Sequence, residues 1–361
     1  MASSSARLLI AASGTGGHLF PAIALAQQLP EYEIEWLGTA NRLETSLVPD
    51  DYPLNTIAVE GFQQRLSFKT LKIISGFIGS IFQTQKLLKE HQINAVFTTG
   101  GYIAAPAILA ARLQKIPAVI HESNYIPGKV TRFLSRWCNI VALGCAGTAQ
   151  YLPQAKTIHV STPVRPQFLT LQSLDLDLPE DAIVILVVGG SQGAVAVNQL
   201  VRKAANTWLD MGAYIVHLTG KNDPEADSLK HPQYISMPFY DNMAGLLQRA
   251  NLAISRAGAG TLTELAFTGT PAVLIPYPYA AEDHQTYNAQ EFGDAGAAVV
   301  YQQSVLTAEI LTEQVCQWLR SPEQLQEMAN KAKALAITDS AERLAAIIRD
   351  LVKRQSRSYK L

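Results

Sequence analysis

Two glycine-tipped turns, Ser13-Gly14-Thr15-Gly16-Gly17-His18 and Gly189-Gly190-Ser191-Gln192-Gly193-Ala194, lie about 175 residues apart, each between an apolar run and a helical pattern. A short apolar run whose terminal glycines open a helix marks a strand–turn–helix unit of a parallel sheet. One such unit at the head of each half predicts an α/β chain built from two Rossmann-like, doubly wound parallel sheets. The length of 361 residues suits two domains.

The pattern between the turns agrees. Strands are expected at 7–12, 34–38, 95–99, 118–121 and 140–143, and again at 182–188, 213–218, 234–237, 252–255 and 272–276. The polar, leucine-punctuated stretch 163–181 reads as a linker. Leu344, Ile347, Ile348, Leu351 and Val352 fall on one face of a helix over 341–361, which docks on a neighbour and ends in a basic tail (Lys353, Arg354, Arg357, Lys360). The expected domains are residues 1–163 together with 341–361, and residues 164–340.

Composition excludes several classes. A formal net charge of −1 gives no field that would draw nucleic acid, so none is expected as a partner. Cys138, Cys145 and Cys316 form no CxxC pair, and an odd count argues against a disulfide framework. The apolar run after Arg7 is too short for a signal peptide, and no stretch approaches the roughly 18 apolar residues of a membrane span. A soluble or peripherally attached protein is expected. The seven histidines show no metal-binding spacing. Asp175-Leu176-Asp177, a metal-holding pattern elsewhere, lies in the apparent linker and reads as a solvated loop.

Ligands of open α/β sheets bind outside the carboxyl ends of the strands, and each motif sits at such an end, which points to the crevice between two domains. In the first turn, glycines at 14, 16 and 17 admit close approach, and a helix start offers N–H groups to an anion. A dinucleotide fingerprint would need glycine where Leu19 stands and an acid where strand 34–38 ends in Gly38-Thr39, which argues against an NAD enzyme. His18 stands at the helix start. The second turn lacks the Lys-Ser/Thr of a P-loop, so it suits a held pyrophosphate rather than NTP hydrolysis. The third cluster runs Ser255-Arg256-Ala257-Gly258-Ala259-Gly260-Thr261-Leu262-Thr263-Glu264. Thr261 and Glu264 match a capping box; the alternative is a carboxylate accepting two ribose hydroxyls. Gln285, in Asp283-His284-Gln285, would read sugar hydroxyls with both its donor and its acceptor. Asn124, in His121-Glu122-Ser123-Asn124, follows another strand.

These pieces, with Thr99-Gly100-Gly101-Tyr102 and Pro163-Val164-Arg165, occur in one order across about residues 7 to 290. The ordered set resembles the MurG family, bacterial transferases that move N-acetylglucosamine from UDP to a lipid-linked muramyl-pentapeptide. The resemblance implies a GT-B fold and a terminal helix that crosses back to the first domain. It implies that the second domain holds UDP-N-acetylglucosamine: Ser191, Gln192 and Gly193 at the diphosphate, Glu264 at the ribose, Arg256, Ala259, Gly260 and Thr261 along the nucleotide, Tyr240 with Phe239 at the uracil edge by backbone, and Arg165 nearby. Gln285 and Asn124 would hold sugar hydroxyls. Thr15, Gly16, Gly17 and His18 would lie nearest the reacting centre. The chain departs from the family pattern at Ser123, at Ser161-Thr162, at the added Gly260, and at Tyr240.

The implied chemistry is inverting displacement at the anomeric carbon by the muramyl 4-hydroxyl. Imidazole, whose proton affinity lies nearest neutral pH, makes His18 the candidate base, with Glu122 as rival. Helix-start amides would stabilise the departing UDP, so no cofactor and no metal are expected. The expected location is the cytoplasmic face of the bacterial plasma membrane, with the anionic inner leaflet and other cell-wall synthesis proteins as partners. The segment 66–88 carries Ile73, Ile74, Phe77, Ile78, Ile81 and Phe82, with Arg65, Lys69, Lys72 and Lys86 around them. It reads either as an ordinary core helix or as an apolar patch (Ile74, Phe77, Ile78, Ile81, Phe82) with a basic rim on lipid. Alternatives within the fold are another lipid glycosyltransferase and a UDP-N-acetylglucosamine epimerase; outside it, a non-catalytic sugar-nucleotide-binding protein.

Overall fold

The computed structural model describes residues 5–40, 42–59, 68–190 and 193–358, with backbone alone at 68–73 and 358. The chain divides into two units, Met1–Arg165 with Asp339–Leu361, and Pro166–Thr338.

The first unit holds a parallel sheet of seven strands. In chain order these are β1 (Ala6–Ala11), β2 (Tyr32–Gly38), β3 (Leu54–Thr56), β4 (Ala95–Thr98), β5 (Ala118–Glu122), β6 (Ile140–Leu143) and β7 (Thr157–His159), set side by side as β3-β2-β1-β4-β5-β6-β7. Its helices are α1 (Gly16–Gln27), α2 (Glu44–Leu47), α3 (Phe68–Glu90), α4 (Ala104–Leu113) and α5 (Lys129–Leu134). Alternate residues of each strand face opposite sides. Leu8, Ile10, Trp36 and Phe97 pack with Leu19, Leu25 and Leu29 on the α1 side, while Leu9, Ala11, Leu37 and Val96 pack with Leu88, Ala107 and Ile108 on the α3–α4 side. Strands covered on both faces read as continuous apolar runs, which is why β1 contains so little polar sequence.

The second unit holds six parallel strands: β8 (Val184–Val188), β9 (Tyr214–Leu218), β10 (Tyr234–Met237), β11 (Leu252–Ser255), β12 (Ala272–Leu274) and β13 (Ala298–Val300), ordered β10-β9-β8-β11-β12-β13. Around them lie α6 (Val195–Asp210), α7 (Met243–Arg249), α8 (Ala259–Thr268), α9 (His284–Asp294), α10 (Ala308–Leu319) and α11 (Pro322–Ala334). Trp208, Trp318, Val201 and Val315 close one face over Ile185, Val187 and Ile254.

The last helix, α12 (Ser340–Ser358), returns to the first unit. Leu344, Ala345, Ile347 and Ile348 join the α1-side core, and the Arg349 guanidinium donates to Glu31 and to the Gln28 carbonyl. The stretch 163–181 is not a free linker, because most of it is tied down on the second unit. Gln172 N donates to Gln248 Oε1, Asn242 Nδ2 to the Ser173 carbonyl, and Arg249 to the Pro179 and Ala182 carbonyls. Asp175 and Asp177 are exposed within this strip.

In both sheets the chain leaves the first strand in one direction and returns on its other side, so the strand order reverses between β1 and β4 and between β8 and β11. Loops at such a point diverge and leave room for a ligand. The glycine turns follow β1 and β8, and Thr99-Gly100-Gly101 and the third cluster follow β4 and β11.

Candidate active site

In the first unit, His18 lies in the opening turn of α1 and its Nδ1 is 2.8 Å from the Thr99 carbonyl oxygen. A carbonyl only accepts, so Nδ1 carries the hydrogen, and in the tautomer this selects the lone pair is on Nε2. The ring lies by the Gly100–Gly101 turn: a Cβ on Gly101, at φ +71°, would stand 4.0 Å from Nε2. One hydrogen bond thus joins the two turns across the reversal point. Thr15, the N-cap of α1, makes no side-chain cap hydrogen bond, and Thr15 and Gly17 are exposed. Pro21, inside the helix, has no N–H for the Gly17 carbonyl.

Phe20 and Arg165 complete this corner. The Arg165 guanidinium stacks 4.5 Å above the Phe20 ring, and that ring lies so close to Gly16 that a Cβ there would meet it at 2.6 Å. Arg42 sends a guanidinium nitrogen to within 3.8 Å of where a Gly14 Cβ would stand. Neither Phe20 nor Arg42 stands out in the sequence, because both come into play only through packing.

Behind His18, His121 is fully buried and its Nε2 donates to the Ser161 carbonyl at 2.9 Å; burial holds its pKa below the ordinary value. Glu122 brackets the next loop. Its Oε1 accepts from Asn124 N and Nδ2 at 3.1 and 3.2 Å, and Oε2 accepts from Gly128 N at 3.0 Å. The carboxylate proposed as rival base therefore holds the Asn124 loop in shape.

In the second unit, Gly190 and Gly193 take φ +87° and +74°, conformations that L side chains rarely adopt. A Cβ on Gly193 would also strike the Thr219 carbonyl at 2.6 Å. Ser191 and Gln192 lie outside the described residues. Ala194, the N-cap of α6, makes no side-chain cap hydrogen bond.

Arg256 is buried and turned inward, donating to the Ile275 and Pro276 carbonyls at 3.1 Å and to Gln303 Oε1 at 2.6 Å. Its side chain joins the ends of β11 and β12 and is not presented to a ligand. Gln285 carries a correction as well. Its Oε1 accepts from Ala257 N at 3.2 Å and Tyr277 N at 2.9 Å, so the oxygen is spent and the Nε2 donor is what remains for a sugar hydroxyl.

The capping-box reading of Thr261 and Glu264 does not hold: α8 starts at Ala259 with Gly258 as its N-cap, so Thr261 is already helical and Glu264 lies past the first turn. Nothing approaches a Cβ placed on Gly260 within 4 Å, so the unit itself does not require that added glycine. Tyr240 accepts a hydrogen bond from Asp175 N at 3.3 Å through its hydroxyl, so its side chain serves the 170s strip and its backbone is left beside β10. Glu282 and Asp283 sit at φ +53° and +52°, a left-handed pair just before Gln285. Such strain costs about 1–3 kcal/mol per residue and gathers at functional loops.

The proposed lipid patch divides in two. Ile74, Ile78 and Phe82, spaced four apart on α3, are exposed, Phe82 by 66%, whereas Ile81 packs partly on the α3–α4 core and Phe77 is half-buried. Lys86 is exposed and pairs with Glu90. Arg65 and Leu66 lie outside the described residues, as do the side chains of Lys69, Lys72 and Ile73. No helix among the described residues is long and apolar enough to cross a membrane.

Comparison with known proteins agrees with this geometry. The glycosyltransferase family 28 N-terminal domain matches residues 8–143 and the C-terminal domain of the same family matches residues 184–344. The UDP-N-acetylglucosamine–N-acetylmuramyl-(pentapeptide) pyrophosphoryl-undecaprenol N-acetylglucosamine transferase of Gloeothece citriformis is 69% identical over 95% of this chain and 96% of its own. The transferase of the same name from Nostoc punctiforme is 61% identical over 98% of this chain and 100% of its own. Among solved structures, Acinetobacter baumannii MurG superimposes with a TM-score of 0.79 at 32% identity, covering 96% of this chain and 99% of that one. A UDP-GlcNAc 2-epimerase from Neisseria meningitidis, bound to UDP-GlcNAc, reaches a TM-score of 0.68 at 16% identity over 95% of this chain and 100% of its own, a likeness of fold alone. Two parallel-sheet units with glycine turns at their strand-order reversals, and high identity along nearly the whole length, lead to one conclusion: the chain belongs to glycosyltransferase family 28 and, within it, to the MurG family of N-acetylglucosamine transferases.

Proposed function

We propose that the chain transfers N-acetylglucosamine from UDP-N-acetylglucosamine to the 4-hydroxyl of a lipid-linked muramyl-pentapeptide, with inversion. The observation that carries the mechanism is the Thr99 carbonyl on His18 Nδ1, which gives the ring a basic Nε2 at the first glycine turn. In this reading Nε2 takes the proton of the attacking hydroxyl. Glu122, with three hydrogen bonds to its own loop, is the weaker candidate.

Donor binding falls to the second unit. The Gly189–Gly193 turn and the start of α6 would hold the diphosphate, Glu264 the ribose and Gln285 Nε2 a sugar hydroxyl. Helix-start amides supply the donors that growing charge on the leaving phosphate needs, so we expect neither metal nor cofactor. The acceptor carries a lipid, and the exposed Ile74–Ile78–Phe82 stripe supports peripheral attachment to an anionic membrane on its cytoplasmic face.

The test is incubation with UDP-N-acetylglucosamine and a short-chain lipid-linked muramyl acceptor, read by mass. The expected product is heavier by one N-acetylglucosamine, forms equally in chelator, and does not form without acceptor. Replacing His18 by Ala should lower kcat by about 10²–10⁴-fold and leave UDP affinity unchanged. Wild-type kcat in that variant would remove His18 from the mechanism, and UDP-sugar conversion without acceptor would favour an epimerase.

A further inference from the structure

The four-residue helix α2 is inside out. Leu43, just before it, is 45% exposed, whereas Glu44 is completely buried. Burying a carboxylate is costly unless hydrogen bonds replace its water. Here four do, and all come from the ends of β1 and β2. Oε1 accepts from Ser13 Oγ at 2.6 Å, Thr39 N at 2.8 Å and Thr39 Oγ1 at 3.0 Å; Oε2 accepts from Gly14 N at 3.2 Å. Gly38 makes way for it, since a Cβ there would meet Glu44 Cγ at 2.8 Å. The absence of an acid at the end of β2 thus has a structural counterpart: a carboxylate reaches that place from α2 and is turned inward on the glycine turn.

We propose that Glu44 is a positioning residue for transfer. It fixes Ser13 and Gly14, at φ +108°, so that the following amides and His18 stand ready for the acceptor. By taking the Gly14 N–H it leaves the later amides, at the start of α1, as the ones that meet an anion. The proposal rests on the transferase reading above, with the acceptor handled by the first unit. The carboxylate itself touches no substrate.

The test is steady-state kinetics on the full chain with UDP-N-acetylglucosamine and the short-chain acceptor. Glu44→Gln keeps the size but sets an NH2 against either the Thr39 or the Gly14 N–H. The expected result is a fall in kcat/KM for the acceptor of about 10-fold or more, with donor KM and UDP affinity within about two-fold of wild type. Ser13→Ala removes one hydrogen bond to the same carboxylate and should shift the acceptor term alone, by less. Glu44→Asp, which keeps the charge, should recover part of what Gln loses.

Wild-type acceptor kinetics in Glu44→Gln would overturn the proposal. So would a loss shared equally by donor and acceptor terms and matched by a lower Tm in both Glu44→Gln and Ser13→Ala, since that marks a purely structural role. A wild-type chain that makes no product overturns the transferase reading and this proposal with it, a result distinct from failure in the variants alone.

Discussion

His217 shows how far a single side chain reaches within the second unit. It is fully buried on β9, with Nδ1 2.6 Å from the Tyr234 hydroxyl and Nε2 3.0 Å from Asn198 Oδ1. Asn198 Nδ2 donates to Asp223 and to the Thr219 carbonyl, the same carbonyl that confines Gly193. Arg202 closes the network on Asp223 at 2.7 Å. Burial first, then the Arg202 charge, pushes the His217 pKa down from 6.5 to about 4. The unfolded chain therefore binds a proton that the folded chain refuses. The corresponding stability is fully present above pH 6.5 and is lost as pH falls towards 4, by about 3 kcal/mol. Urea denaturation of the second unit across that range should show this slope, and His217→Gln should flatten it; an equal slope in the variant would assign the dependence elsewhere. Glu44 acts in the same sense at lower pH. Burial raises its pKa, but the hydrogen bonds from Ser13, Thr39 and Gly14 together outweigh that and hold it below 4.5.

At the scale of elements, α3 makes the sharpest prediction. Its inward residues, Leu88 and in part Ile81 and Leu87, meet the core shared with α4, which accounts for an apolar face but not for Ile74, Ile78 and Phe82 outside it. An exposed apolar row is what a membrane-surface helix offers to acyl chains. Flotation with anionic vesicles should carry up less of an Ile78→Ser/Phe82→Ser variant than of wild type, with Tm unchanged; equal flotation would clear α3 of the role. The elements also show what a sequence can convey. Strands such as β6 and β11 were legible because burial on both faces demands an unbroken apolar run. The three-residue strands β3, β7 and β13 were not, because so short a segment carries no period; β12, equally short, showed because its apolar run continues through Ile275. The start of α8 was misplaced because Thr261 imitates a cap while Gly258 supplies it. Glu44 lay hidden for another reason: its bonds to Ser13 and Gly14 span some 30 residues, and nothing local distinguishes it from a surface glutamate. Gln285 showed as a polar residue at a strand end, but not that its oxygen was already committed.

At the scale of the whole molecule, each unit closes its own core, but by different means. The second does so with consecutive chain: α6, α10 and α11 cover β8 and β11, and all lie within Pro166–Thr338. The first borrows α12, whose Leu344, Ala345, Ile347 and Ile348 complete the layer over Leu8, Ile10 and Phe97. Fully burying a leucine or isoleucine stabilises by about 1.5–3 kcal/mol. Three such side chains therefore approach the whole net stability of a domain, about 5–15 kcal/mol. The two units should accordingly respond differently to loss of the C-terminal helix. A chain ended at Thr338 should keep a cooperatively unfolding second unit that still binds UDP by calorimetry, while the first unit loses its fold and transfer is abolished. Ile348→Ala offers the graded form: about 2–5 kcal/mol off the unfolding free energy of the first unit, with the second unit's transition and UDP affinity unmoved. Loss of UDP binding in the shortened chain would mean that the donor site draws residues from outside Pro166–Thr338.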